Sequence, residues 1–236
     1  MNFYRSAAVA AVMSVMAFGA NAATVTLYGD DVSFTFDDSS LFGDAIVVGN
    51  NIFFQPTSFR AESINGQGAV TASETLNITV EVLNPNGGYV ITDSVLIEGG
   101  DYFLSSGDTS VTASARLQVT SQTTNCPSAI PGFDLPCTDS EIVNIGGLDT
   151  VGATTEWQGG TTVNLADTAG WGSDTLITAQ IQNNLSATTL NDGEQAWIEK
   201  KYGAVGMSIT VIPVPAAVWL FGSALAGLGW MRRRPA

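Results

Sequence analysis

The chain of 236 residues contains no histidine and only two cysteines, and it carries 8 lysines and arginines against 22 acidic residues. Without imidazole there is no Ser-His-Asp or Cys-His catalytic unit and no histidine-ligated metal. The two cysteines are spaced too widely for a Cys-x-x-Cys centre and have no other soft ligand, which argues against a redox or metal pair. Between Ala23 and Val211 the acidic excess is larger still than the chain's net −14 and repels nucleic acid and anionic lipid, so neither is expected as a partner of that part. Gly-x-Ser-x-Gly and the phosphate-cradling glycine motifs are missing as well. A glycosidase-like carboxylate pair remains possible in principle, but nothing singles out two of the acids. A lone lysine base is conceivable at Lys200 or Lys201, but their place after Ala196-Trp197-Ile198-Glu199 reads instead as a strand with a solvated edge, where lysines discourage sheet-to-sheet pairing. The expectation is a protein that is not an enzyme and takes no cofactor and no metal.

What the chain does have is a distinctive segment at each end. At the start, Arg5 precedes an apolar run from Ala7 to Phe18, followed by Ala20-Asn21-Ala22. This is the layout of a secretory signal peptide over residues 1–22, cut before Ala23. At the other end, Ala216 to Met231 carries no charge and Arg232, Arg233 and Arg234 follow at once. A helix from Val214 to Met231 would be roughly 27 Å long at about 1.5 Å per residue, close to a hydrocarbon core of about 30 Å. The arginines keep the C-terminus in the cytoplasm and leave everything before Pro213 outside. Trp219 and Trp230 fall near the ends of this span, where indoles favour the interface.

The order Ile212-Pro213-Val214-Pro215-Ala216, then a hydrophobic span, then Arg232-Arg233-Arg234 resembles the PEP-CTERM family of bacterial sorting signals, in particular its Val-Pro-Leu-Pro-Ala (VPLPA-CTERM) branch. Val214 stands where the parent motif has Glu, and Ile212 where the branch has Val. The resemblance covers only about the last 25 residues, a length in keeping with one membrane span and its flanks. It implies processing by an exosortase, a membrane-embedded transpeptidase that cuts near the proline motif. The expected course is a single pass in the inner membrane, then release to the cell surface or extracellular matrix of a Gram-negative bacterium that makes exopolysaccharide. The implied partners are that transpeptidase and the inner membrane, both transiently, with exopolysaccharide as a candidate.

All of the acidic residues lie between Ala23 and Val211, against Arg60, Arg116, Lys200 and Lys201. This stretch alternates in polarity: Leu76, Ile78, Val80 and Val82; Val111 to Val119; Ile177, Ala179 and Ile181; Met207, Ile209 and Val211. Period two means one buried and one wet face, as in antiparallel sheets. Asn84-Pro85-Asn86-Gly87-Gly88, Gly99-Gly100 and Gly159-Gly160 read as turns that bound the strands. About ten short strands in one domain point to an all-β fold, a single antiparallel β-sandwich of jelly-roll-like or immunoglobulin-like type. The domain plan is therefore a signal helix (1–22), a β-sandwich ectodomain (23–211) and a sorting tail with a transmembrane helix (212–236). The last strand runs almost directly into the proline motif.

Cys126 and Cys137 flank a proline-bearing loop, and in an exported chain they are expected to form a disulfide. Trp157 and Trp171 lie in the glycine-rich stretches Glu156 to Gly160 and Gly170 to Gly172. Indoles in open loops stack on sugar rings, so these two are the candidate glycan-binding residues; otherwise they cap the core. Asp30-Asp31, Asp37-Asp38 and Asn191-Asp192-Gly193-Glu194 are the best calcium candidates, and none has EF-hand spacing. The expected role is an exported structural protein of the surface or matrix; the alternative is a carbohydrate- or calcium-binding surface module.

Overall fold

A computed structural model describes residues 23–38, 41–130, 132–201 and 205–213. The expected signal segment and the sorting residues Val214, Pro215, Ala216, Arg232, Arg233 and Arg234, with their transmembrane helix, lie outside the described residues. Among the described residues no helix is long and apolar enough to cross a membrane.

The chain starts with β1 (Thr24–Tyr28) and β2 (Val32–Asp37), followed by β3 (Asp44–Val48), β4 (Asn51–Gln55) and β5 (Arg60–Ile64). Four long strands come next: β6 (Gly68–Val82), β7 (Tyr89–Leu104), β8 (Ser110–Pro127) and β9 (Asp134–Ile145). It closes with β10 (Thr155–Asn164), β11 (Leu176–Thr189), β12 (Gln195–Lys200) and β13 (Val205–Pro213). One sheet has the order β1-β2-β6-β11-β8-β9. The other runs through β3, β4, β13, β7, β12 and β5, with β10 also on β7. Every ladder between these strands is antiparallel, and two sheets packed face to face make a β-sandwich.

The alternation that announces the strands is the alternation that builds the core. Leu76, Ile78, Val80 and Val82 of β6 are buried, as are Leu117 and Val119 of β8 and Ile177, Ala179 and Ile181 of β11. The facing sheet contributes Ile52 and Phe54 of β4, Ala61 of β5, Leu96 and Tyr102 of β7, and Ile198 of β12. Phe54 meets Phe36 of β2 edge-on at 5.4 Å and Phe42 at 5.7 Å, and Phe42 meets Phe59 at 5.6 Å. This aromatic chain joins the sheets, each buried ring contributing about 1.5–3 kcal/mol.

Three local expectations change. The strands are longer than expected, because Gly99-Gly100 lies within β7 and Gly159-Gly160 within β10 rather than in turns. Both pairs stand where backbones approach closely: a Cβ on Gly100 would overlap the carbonyl of Glu199, and one on Gly160 would lie 2.8 Å from Leu96 O. The third change concerns the end of the last strand. Strand β13 continues through Ile212 and Pro213, which pair with Val90 and Tyr89 of β7, so the proline motif begins inside the sheet. The turn at Asn84 to Gly88 stands as expected: Pro85–Gly87 forms one 3-10 turn capped by Asn84, and Gly88 ends it at φ 82°.

Candidate functional site

On β12 the alternation places Ala196, Ile198 and Lys200 inward and Gln195, Trp197 and Glu199 outward. Lys200 is thus a buried residue, 3% exposed, and not the solvated edge lysine expected. Only Lys201 is exposed, where it pairs with Asp101. On β7 the same phase carries Glu98 inward beside Leu96, and on β11 it carries Asn183 inward between Ile181 and Leu185. Both are wholly buried. The three polar side chains converge between the sheets.

Lys200 Nζ lies 2.8 Å from Glu98 Oε1, both side chains being inaccessible to solvent. Nζ also donates to Asn183 Oδ1 at 2.6 Å. The rings of Trp157 and Phe59 stand 5.3 and 5.6 Å from the nitrogen. The cluster is nevertheless incompletely satisfied: neither Glu98 oxygen nor Asn183 Nδ2 has a hydrogen bond of normal geometry. Burial pushes the Glu98 carboxyl up, and the attraction of Lys200 with the hydrogen bonding of Lys200 and Asn183 only partly offsets it. Burial likewise pushes the Lys200 ammonium down, against the pull of Glu98. Desolvation thus drives both partners towards their neutral forms.

Neither tryptophan lies on an open face. Trp157 is 5% exposed within β10, and its Nε1 donates to Glu199 O at 3.2 Å. Trp171 is in the expected loop but 8% exposed, its Nε1 donating to Asp174 at 3.1 Å. The indoles close the ends of the core and give no platform to a sugar. Asp174 also accepts from Ser121, Thr123 and the backbone N–H groups of Thr175 and Leu176. Burial would raise its carboxyl, but these hydrogen bonds outweigh it and hold it below the usual range. Backbone bonds between Asp174 and Ile91 carry the same junction into the second sheet.

Cys126 and Cys137 form a disulfide between β8 and β9, and Cys137 is fully buried. Part of the expected loop, Pro127 to Pro136, is strand, since β8 extends to Pro127 and β9 begins at Asp134, which leaves residues 128–133 as the connection. Among the calcium candidates, Glu194 spends its carboxylate on its own turn, accepting from Asn191 N and Nδ2, Leu190 N and Ser106 Oγ. Asn191 chiefly holds it down at about 2. Asp31 accepts from Asn50 Nδ2 at 2.9 Å. Among the described residues no group of three or more metal-ligating side chains comes together. An open depression of about 390 Å³ on the outer face of the first sheet is lined by Ser73, Arg116, Gln182 and Asn184 among others, with no aromatic ring.

The buried triad was missed in the sequence, yet a signal for it exists. Glu98, Asn183 and Lys200 are polar residues at the apolar phase of their strands, next to Leu96, Ile181 and Ile198. No protein-family model matches this chain, and no curated protein matches it either.

Proposed function

We propose that the chain is an exported structural protein of the cell surface or extracellular matrix, delivered by its signal peptide and sorted by its C-terminal exosortase-type signal. The observation that carries this reading is the disulfide with a buried Cys137, since such bonds form and persist in oxidising compartments. Entry of Ile212 and Pro213 into β13 adds to it, because a tail joined to the sheet without a spacer would hold the sandwich itself at the membrane. The binding-module alternative has lost Trp157 and Trp171 as its platform.

Fractionation of the native producer, with mass spectrometry of the mature C-terminus, tests the reading. A mature chain ending near Pro213 to Ala216 in the surface or extracellular fraction is expected. An intact chain carrying Arg232 to Arg234 in every fraction would overturn the processing, and retention of residues 1–22 in a reduced cytoplasmic form would overturn the export.

A further inference from the structure

We infer that Lys200 and Asn183 join in an intramolecular amide bond, formed with the help of Glu98, that staples the two sheets together through the core. The inference rests on the geometry of the buried triad and holds whether or not the tail is processed.

The reaction needs three conditions, and each corresponds to an observation. The nucleophile must reach the carboxamide carbon: Nζ is 2.6 Å from Asn183 Oδ1, so the carbon bonded to that oxygen is beside it. Two groups held in this way react with effective molarities of about 10⁵–10⁸ M. The amine must also be free of its proton, because an ammonium has no lone pair; burial favours that form of Lys200 and the protonated form of Glu98. Finally, water must be excluded, and the side chains of Lys200 and Glu98 are inaccessible to it beneath Phe59 and Trp157.

The step balances without any other reactant. The Nζ lone pair forms a bond to Asn183 Cγ, and the C=O π pair moves onto Oδ1, where the protonated Glu98 carboxyl stabilises it. A proton passes from Nζ through Glu98 to Nδ2. The oxygen pair returns, the Cγ–Nδ2 bond breaks and ammonia leaves, while Glu98 ends as it began. Glu98 touches the reacting nitrogen at 2.8 Å and is the catalytic acid–base.

The product also removes what the triad leaves unsatisfied. A buried acid–amine pair and an Nδ2 without a hydrogen bond of normal geometry become one neutral amide whose N–H is available to Glu98. Buried charges and orphan amide donors are both expensive, so the environment favours the linked form. The bond would tie β11 of one sheet to β12 of the other. Load entering from the C-terminal side would meet this tie at Lys200, immediately after β13.

The test is a peptide map of the full-length protein from the native producer, denatured and reduced, then cut after glutamate. Cleavage at Glu194 and Glu199 separates Asn183 from Lys200 in the sequence. The expected result is a branched species joining the two peptides, lighter than their sum by one ammonia. Recovery of the two peptides separately at their unmodified masses, from folded wild-type protein, overturns the inference without recourse to any variant. Glu98→Gln, with folding verified by circular dichroism, is expected to link at least about 10²-fold more slowly. Linkage of that folded variant at the wild-type rate would overturn the role of Glu98. Lys200→Met and Asn183→Ala must lack the branched species, and its persistence in either would place the bond elsewhere.

Discussion

Lys200 stands opposite Gly100 in the β12–β7 ladder, and the missing side chain of that glycine lets the end of β12 close over the core. The other edge of Gly100 faces Trp157, whose indole lies against Lys200. A Cβ at position 100 would run into the backbone carbonyl of Glu199, which cannot move without shifting Lys200. Gly100→Ala is therefore expected to destabilise the fold by about 1–3 kcal/mol, the usual range for overpacking a core. Urea denaturation measures it, and a value within a few tenths of wild type would show that the ladder yields freely.

The buried pair predicts an unusual pH dependence when broken. Lys200→Met strands the Glu98 carboxyl, and removing one member of a buried pair costs about 3–5 kcal/mol. Adding Glu98→Leu should recover most of that penalty, the two variants being compared with each other because neither can form the Lys200–Asn183 amide. Burial already raises the Glu98 carboxyl, and without its cation nothing comparable opposes that. A group with a raised folded value contributes stability below its unfolded value and loses it as pH rises through the folded value. The single variant should thus gain stability on acidification from neutral pH, and denaturation at several pH values would reveal a flat profile if the argument fails.

Glu194 acts in the opposite sense. Asn191 and its neighbours hold the carboxyl down from 4.5 to about 2. Its contribution is present above the unfolded value and is lost as pH falls towards about 2. Glu194→Gln should flatten that part of the acid limb while leaving the neutral region's slope unchanged. Thermal melts from pH 5 to pH 2, roughly spanning both values, decide the point.

The disulfide closes a ring with a sequence separation of 11, and chain entropy assigns such a ring about 3 kcal/mol. The double variant Cys126→Ser and Cys137→Ser should lower Tm by roughly 6–12 °C, at about 2–4 °C per kcal/mol for a domain of this size. Calorimetry under matched conditions checks it.

Trp171→Phe keeps the ring but removes its bond to Asp174, leaving a buried acceptor with fewer donors. A loss of about 1–3 kcal/mol is expected. Quenching by acrylamide offers a second check, because tryptophans as buried as Trp157 and Trp171 should resist it in the folded protein.

Some features were legible in the sequence because their causes are local. A strand with one buried face must alternate, so the inward residues of β6, β8 and β11 were readable without knowing their partners. The Asn84 to Gly88 turn and the pairing of Cys126 with Cys137 rest on equally local chemistry. The glycine pairs misled because a glycine that relaxes a turn and one that permits a close backbone approach look the same in one dimension. Trp157 and Trp171 misled for a related reason: glycine neighbours suggest an open loop, while burial depends on what packs above it.

By itself the sequence determined an all-β chain, the inward phase of its main strands and the pairing of its two cysteines, since these follow from near neighbours along the chain. It also raised the expectation of export and of a membrane span, through charge and hydrophobic length at the two ends, and that of sorting through the resemblance carried by Pro213-Val214-Pro215-Ala216. Only the tertiary structure decided that Glu98 meets Lys200 and that Asn183 meets both. These residues come from three strands in two facing sheets, and no periodicity within one strand specifies which polar residue it will face across a core. That meeting turns three isolated departures from an apolar pattern into one chemical site.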